Sequence, residues 1–470
     1  MKVMIVGAGK LGTKLAEFLL HEDTDITVLD TENTPLDKLS ENFDVMTVQA
    51  NGLEISILKE LNIETFDIVI ASTNNDESNV LIATISKRLG AKKVIARIRK
   101  PEYLEQMNFI KDEMDIDLFI NPDMETARVI TKYITNDQSF VSGDFARGEI
   151  KLMNFSIGNN PDFVGKQFHE VEAFKPVVVA TVSRDGEMII PNGKTVLKED
   201  DVLLVAGMSK DIENFAKIID IKEPDHSVRT VMIVGGGKLG YYLSHFLMKR
   251  GLNIIIIEKD KKRAQTLSEL IPDALVINAD GTDIDLLEKE HLENCDAFLC
   301  CAGVDEINLL MAIVAKNHGV ERTIAITSRH NYTNIVERLG IDIAFNPIYI
   351  TASNILKYIR GGRVISVSLL LGGNAEASEL IVNPQSPLVG IALKDLELPE
   401  GMLVVAILRE GKTFIPDGKT ALKAADRVIV YTLSENLPYL KNFIHDEGKK
   451  KGFLNELFNG SKNNRRNPMD

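Results

Sequence analysis

The sequence predicts an α/β chain of two doubly wound parallel-sheet domains, each followed by a small β-rich α+β domain. Three observations predict it: a long segment recurs, β-like runs alternate with amphipathic stretches in each copy, and the pattern then changes to short runs broken by turn residues. The recurrence is plain at Lys2–Gly12, KVMIVGAGKLG, which returns as TVMIVGGGKLG at Thr230–Gly240. Val182–Val205 is answered in the same way by Ile407–Val430. One unit has been duplicated, so each reading of one copy can be checked against the other.

In the first copy, β-like runs at Asp25–Leu29, Phe66–Ile70 and Lys93–Ala96 alternate with amphipathic stretches at Leu11–Leu20 and Asp76–Leu89. That alternation predicts a parallel sheet with helices on both faces. From about Gly143, and again from about Gly362, turn signals at Arg184-Asp185-Gly186, Pro191-Asn192-Gly193, Glu410-Gly411 and Asp417-Gly418 predict hairpins. The expected domains are 1–138 and 228–359 for the parallel sheets, 139–222 and 360–446 for the small domains, and 447–470 for a basic tail. Lys222–Arg229, with Pro224 and several charges, reads as the linker between copies.

At 470 residues the chain exceeds what one hydrophobic core serves, which agrees with several domains. Its 44% apolar and 26% charged residues are the mixture of an ordinary globular protein. The net charge of −14 repels phosphate backbones, so nucleic acid is not an expected partner. Runs such as Leu252–Ile257 and Val367–Leu371 are too short to cross a bilayer, and Met1-Lys2 leads straight into a β-like run rather than a signal segment. A cytoplasmic location is expected. Cys295, Cys300 and Cys301 crowd one segment that reads as a buried strand, without a second Cys or His pair at ligand spacing. Neither a disulfide framework nor a metal site is therefore expected.

Gly7, Gly9 and Gly12 directly follow a strand and open an amphipathic helix, the context that makes a GxGxxG pattern informative. The first glycine makes the tight turn, the second admits a pyrophosphate, and the third lets helix and strand pack closely. Helix amides then face the phosphates, with Ala8, Lys10 and Leu11 lying along the turn. Asp30 stands 18 residues past the last glycine, at the end of the second strand, where a carboxylate accepts hydrogen bonds from an adenosine ribose. The second copy repeats the pattern with Gly235, Gly236, Gly237, Lys238 and Leu239, and with Glu258 in place of Asp30. An acidic residue there favours NAD(H) or a simple adenine nucleotide over a 2′-phosphorylated one, so the fold expected is Rossmann-like. A solvated strand-end carboxylate is the alternative for both positions.

Thr73 and Asn74 lie at a fourth-strand end, where ligands sit in such sheets, but Ala302 and Gly303 replace them in the second copy. Arg97, placed to neutralise a phosphate, is matched by Ile326, and Asp123 and Glu125 by Ile348 and Ile350. The two sites should therefore differ in affinity or ligand. A surface salt bridge is the alternative for Arg97, and Asn51 and Asp280 are turn residues that could serve either purpose.

Gly193-Lys194-Thr195 and Gly418-Lys419-Thr420 look like the end of a P-loop, but the glycine it requires five positions earlier is Met188 or Thr413. Both triplets read as hairpin turns. An NAD-dependent oxidoreductase is the alternative function, and it needs an acid or base near the nicotinamide. His169 aligns with Lys394, and neither His226 nor His245 has a partnered carboxylate that recurs between copies.

The strings GAGKLG with Asp30, STNNDESN at Ser72–Asn79, IARIRKPEY at Ile95–Tyr103, INPDMETA at Ile120–Ala127, and GGGKLG with Glu258 together resemble the TrkA family of Trk-system potassium uptake proteins. Relatives in that family carry tandem RCK (regulator of K⁺ conductance) units, and the likeness runs from about Lys2 to Ile444. The resemblance implies a first nucleotide site of Gly7 to Leu11, Asp30, Thr73, Asn74 and Arg97, and a second of Gly235 to Leu239 and Glu258. It further implies NAD(H) or ATP/ADP as ligand, a regulatory rather than enzymatic role, and a homo-oligomeric, tetrameric ring. That ring would sit on the inner face of the membrane beneath a TrkH/TrkG-like transporting subunit. Lys449–Lys451, Arg465 and Arg466 surround Phe453, Leu454, Leu457 and Phe458 in the tail, which reads either as a contact for membrane or transporter or as a silent extension.

Overall fold

Val3, Met4, Ile5 and Val6 are all buried, as a strand covered on both faces requires, and this strand is the centre of the first sheet. A computed structural model of the chain describes residues 1–444 except 21, 23, 104–105, 136–144, 185–186, 192, 220–227, 330–331, 333–335 and 337–338. Most of the expected linker, the tail, and the turn residues Asp185, Gly186 and Asn192 lie outside the described residues, as does Gly143.

The first copy runs β1 (Lys2–Val6), α1 (Lys10–Leu20), β2 (Asp25–Asp30), α2 (Asn33–Asn42), β3 (Met46–Gln49), α3 (Ile55–Glu60), β4 (Ile68–Ala71), α4 (Asp76–Arg88), β5 (Lys93–Arg97), α5 (Met107–Glu113), β6 (Leu118–Ile120) and α6 (Pro122–Thr135). The strand order is β3-β2-β1-β4-β5-β6, all parallel, so the order reverses between β1 and β4. Ligands of such sheets bind at that reversal, outside the strands' C-terminal ends. Two sequence expectations shift slightly. Phe66 is not in a strand, because it caps the short turn Ile63–Thr65 before β4, and Arg97 is the last residue of β5 rather than the one following it.

The small domain that follows contains β7 (Ile150–Ser156), β8 (Val178–Arg184), β9 (Glu187–Ile189) and β10 (Val202–Met208), then α7 (Ser209–Ile218). Its sheet is β7-β10-β8-β9, with antiparallel neighbours.

The second copy repeats both parts. Its parallel sheet is β13-β12-β11-β14-β15-β16, formed by β11 (Thr230–Val234), β12 (Asn253–Glu258), β13 (Leu275–Asn278), β14 (Ala297–Cys300), β15 (Arg322–Ile326) and β16 (Ile343–Phe345). Its helices include α8 (Lys238–Met248), α9 (Lys261–Leu270), α10 (Ile284–Lys289), α11 (Asp305–Asn317) and α12 (Pro347–Arg360). Only Cys300 of the three cysteines is in a strand; Cys295 precedes β14 and Cys301 follows it, so the expectation of one cysteine-bearing strand is corrected. The second small sheet is β17-β18-β21-β19-β20, from β17 (Val364–Leu370), β18 (Ala375–Ile381), β19 (Met402–Arg409), β20 (Lys412–Phe414) and β21 (Arg427–Leu433), with α13 (Lys441–Ile444) after it.

Glu410-Gly411 is the expected hairpin turn. Both residues have positive φ, 51° and 77°, and join β19 to β20. Asp417-Gly418 is instead a local turn, in which the Asp417 carboxylate accepts from the Lys419 amide and the Thr420 hydroxyl. It leads to an isolated bridge, Ala392 with Ala421, rather than to a ladder, and Thr195 likewise precedes the bridge Gln167 with Val196. The Gly-Lys-Thr triplets are thus turns but not hairpins.

The recurring string Val182–Val205 and Ile407–Val430 has a structural purpose. Arg184 donates two hydrogen bonds of 2.7 Å to Asp201 and one to Val196 O. Arg409 repeats this on Asp426, at 2.8 and 2.7 Å, and on Ala421 O.

Like parts of the two copies group together. Among the described residues, those within 1–141, 221–356 and 368–374 form one compact unit, which holds both parallel-sheet domains, and the remainder form the other. Inside the first unit, Met124, Ala127, Ile130 and Ile134 of α6 share one core with Val231, Tyr242, Leu243 and Leu247 of the second copy. Arg322 also donates to Ile134 O at 2.7 Å. Inside the second unit, the Ala146 amide donates to Glu379 at 3.3 Å, and the Thr413 hydroxyl reaches Glu149.

Candidate functional site

The loop from β1 to α1 turns sharply because Gly7 adopts φ 109°, a left-handed value that strains any side chain. A Cβ there would lie 2.9 Å from Thr73 N, and one on Gly12 would lie 1.9 Å from Gly7 O. Both glycines are therefore demanded by the protein's own packing. Gly9 is not: a Cβ on it would meet no atom within 4 Å, and the same holds for Gly237. Amides in the first turn of α1 have no intrahelical acceptor and supply the positive end of the helix there.

Asp30 closes the other side. Its carboxylate accepts from Ala8 N at 2.6 Å and Glu32 N at 3.0 Å, which fixes it beside the glycine turn. Asn51 folds into its own turn, accepting from Leu53 N at 3.0 Å. Lys10 donates through Nζ to Ser328 Oγ of the second copy at 3.0 Å, and Leu11 is buried.

At the β4 end, Thr73 donates its amide and hydroxyl to Asn79 Oδ1, at 2.8 and 2.7 Å. Asn79 Nδ2 donates to Thr73 O at 3.1 Å and to Arg97 O at 3.0 Å, stitching β4 to β5. Arg97 is 9% exposed and donates to Thr73 O and Asn74 Oδ1, while its Nε has no hydrogen-bond partner. It is not a surface salt bridge. Among the described residues no carboxylate pairs with it, and burial, with Arg99 close by, holds its pKa below the usual value. A buried guanidinium with an unused donor, on β5 beside the β4 strand that borders the reversal point, fits an anionic group such as a phosphate.

Asp76 and Arg99 were not singled out in the sequence, whereas Asp123 was. Asp76 Oδ2 accepts from Arg99 N and Lys100 N, both at 2.9 Å, and Arg99 pairs with Asp123 at 2.7 and 2.9 Å. Asn79 and Asp76 recur as Asn308 and Asp305, a signal that comparison of the copies could have found.

The second turn keeps the frame and changes the contents. Gly235 has φ 104°, and Glu258 accepts from Gly236 N and Asp260 N, both at 2.7 Å. Gly236 replaces Ala8 because a Cβ there would lie 2.2 Å from Leu267 Cδ1. Lys238 and Leu239 begin α8, with Leu239 buried. Asp280 is committed elsewhere: the Lys259 ammonium at 2.6 Å, with Thr282, lowers its pKa to about 2. Ala302 offers no hydroxyl, and Asn308 Oδ1 is left buried without a partner. Ile326 stands where Arg97 does in the first copy. Cationic character reaches the turn from a different element, because Arg263 of α9 donates to Gly236 O at 2.7 Å and Gly237 O at 3.3 Å. Arg263→Ala should free this backbone, seen as amide exchange at Gly237 and Lys238 about fivefold faster or more, since each lost hydrogen bond is worth about 1 kcal/mol.

Among the described residues no helix is long and apolar enough to cross a membrane. The TrkA-N domain model matches residues 3–122 and 231–347, and the TrkA-C domain model matches 152–220 and 377–445. The Trk system potassium uptake protein TrkA of Haemophilus influenzae is 30% identical over 451 residues, spanning 94% of this chain and 98% of that protein. Trk system potassium uptake protein TrkA homolog 2 of Methanosarcina mazei is 29% identical over 442 residues, spanning 92% and 98%. Among solved structures, the GsuK channel bound to NAD matches with a TM-score of 0.54 at 18% identity, over 94% of this chain and 78% of that one, a likeness of fold. With two successive TrkA-N and TrkA-C pairs and near full-length identity of this order, the chain belongs to the TrkA family of Trk system potassium uptake proteins.

Proposed function

We propose that the chain is a nucleotide-binding regulatory subunit that gates a Trk-type potassium uptake transporter in response to NAD(H) or ATP/ADP. The observation that carries the reading is the first glycine turn. A Cβ on Gly9 would meet open space, the adjoining Ala8 amide is held by the Asp30 carboxylate, and buried Arg97 holds Thr73 and Asn74 after β4. The site residues are Gly7 to Gly12, Asp30, Asn51, Thr73, Asn74 and Arg97, with Gly235 to Leu239, Glu258 and Asp280 as a weaker second set. When bound, the nucleotide supplies the pyrophosphate and ribose that these groups hold, and the chain itself carries out no bond-making step. A nucleotide preferring one arrangement of the domains shifts the population toward it, by no more than its differential affinity.

In this reading 1–138 and 228–359 bind nucleotide, 139–222 and 360–446 transmit, and 447–470 is the basic tail. The assembly is a tetrameric ring on the inner face of the membrane, against a TrkH/TrkG-like subunit, in keeping with the potassium uptake named for the relatives.

Titration calorimetry with NADH, NAD, ATP and ADP tests it, with an assay of nucleotide consumption alongside. Asp30→Ala is expected to weaken binding about tenfold or more, as loss of a charge-assisted hydrogen bond of about 1.5–3 kcal/mol implies. Glu258→Ala should leave the tighter event in place. Sustained oxidation or hydrolysis of nucleotide, or no binding at all, would overturn the reading.

A further inference from the structure

Tyr242 is fully buried on α8, the helix that begins at the second glycine turn, yet its hydroxyl serves the first copy. It donates to Arg99 O at 3.2 Å and accepts from Asn121 Nδ2 at 2.9 Å. These groups all belong to one compact unit. Arg99 is the residue whose amide is held by Asp76 and whose guanidinium is paired with Asp123, and it lies two positions beyond Arg97. Asn121 caps α6 by accepting from Met124 N at 3.0 Å. The Tyr242 hydroxyl therefore ties the exit of β5 to the start of α6.

Arg97 in turn holds Thr73, whose amide borders Gly7. The arrangement is not reciprocal. Lys14 stands at the position of Tyr242 in α1, pairs with Glu17 at 2.6 Å, and lies over the rings of Phe18 and Tyr349.

We propose that Tyr242 is a positioning residue of the first nucleotide site, fixing the main chain after Arg97 so that the Arg97 guanidinium is in place before the nucleotide arrives. This rests on the reading of the first turn as a nucleotide site. Two hydrogen bonds on a buried hydroxyl fix a strand exit that would otherwise have to be ordered on binding, and avoiding that cost is a gain in affinity. The second copy, whose own site has lost polar contacts, thereby contributes to the affinity of the first.

Tyr242→Phe keeps the ring and removes only the hydroxyl. In NADH titrations of the full chain the variant should bind about fivefold more weakly, the effect of one lost hydrogen bond, while its melting temperature moves by only a few degrees. In an Arg97→Ala background the same substitution should cost nothing more, because the group it positions is gone. General loosening would instead weaken both backgrounds alike, and such additive losses overturn the proposal. Equal affinities of Tyr242→Phe and the unmodified chain overturn it too, while leaving the nucleotide site standing. Absence of NADH binding to the unmodified chain is a separate result, which removes the nucleotide reading and this proposal with it. If Tyr242→Phe folds poorly, amide exchange at Arg99 and Lys100 of the unmodified chain decides: protection already present without NADH is expected, and protection that appears only on NADH binding overturns the proposal.

Discussion

Gly9→Val is expected to abolish nucleotide binding while leaving the fold in place, with affinity for NADH reduced at least about a hundredfold, or about 2.8 kcal/mol. The reason is positional. A Cβ at Gly9 meets no protein atom within 4 Å, and Gly9 is not among the residues with positive φ, so neither packing nor backbone opposes a Cβ there. In the proposed reading, the pyrophosphate of a bound nucleotide would meet it. Gly12→Ala is the control with the opposite signature: its Cβ would lie 1.9 Å from Gly7 O, so the loss should appear first as a lower melting temperature. Calorimetry and thermal melting of both variants separate the two kinds of glycine. Unaltered NADH affinity in Gly9→Val would show that nothing binds across that turn.

Asp426→Ala should be the most destabilising single change among those considered, costing about 3–5 kcal/mol, because it strands one member of a buried ion pair. Asp426 is 2% exposed and accepts two hydrogen bonds from Arg409 and one from Lys423 N at 2.7 Å. Arg409, which packs its guanidinium over the Phe414 ring at 5.6 Å and is itself only partly exposed, loses its counter-charge when the carboxylate is removed. Replacing both partners, as Arg409→Met with Asp426→Leu, should cost less than the single change, since no uncompensated charge remains. Guanidinium chloride unfolding of the three chains checks the order. A double variant less stable than Asp426→Ala would show that the pair is worth more than the desolvation it requires.

The sequence by itself determined the duplication, the parallel sheets, and the glycine turns with their strand-end carboxylates. Each is written in local chemistry: a periodicity, a residue that tolerates φ above zero, or a spacing set by one helix and one strand. It also marked the second site as different, because losing Thr73, Asn74 and Arg97 as Ala302, Gly303 and Ile326 is visible by comparing the copies. Turn residues were less decisive. Asp417-Gly418 and Glu410-Gly411 carry similar signals, yet only the second lies between paired strands, since pairing depends on what each neighbouring segment meets across space.

Tertiary structure alone decided which groups come together. In the sequence Arg97 reads as a group placed to neutralise a phosphate, with a surface salt bridge as the alternative, and its burial against Thr73 and Asn74 removes the alternative. Arg263 is distant in sequence from the second turn's carbonyls, and nothing in its local pattern shows that it bonds them. Most of all, the pairing of like domains was illegible, because it is made by α6 burying an apolar face in the other copy's core. An amphipathic helix announces that it will be buried but not against what. Tyr242 reaches Arg99 across 143 positions of sequence, and that distance is closed only by the packing of one copy on the other.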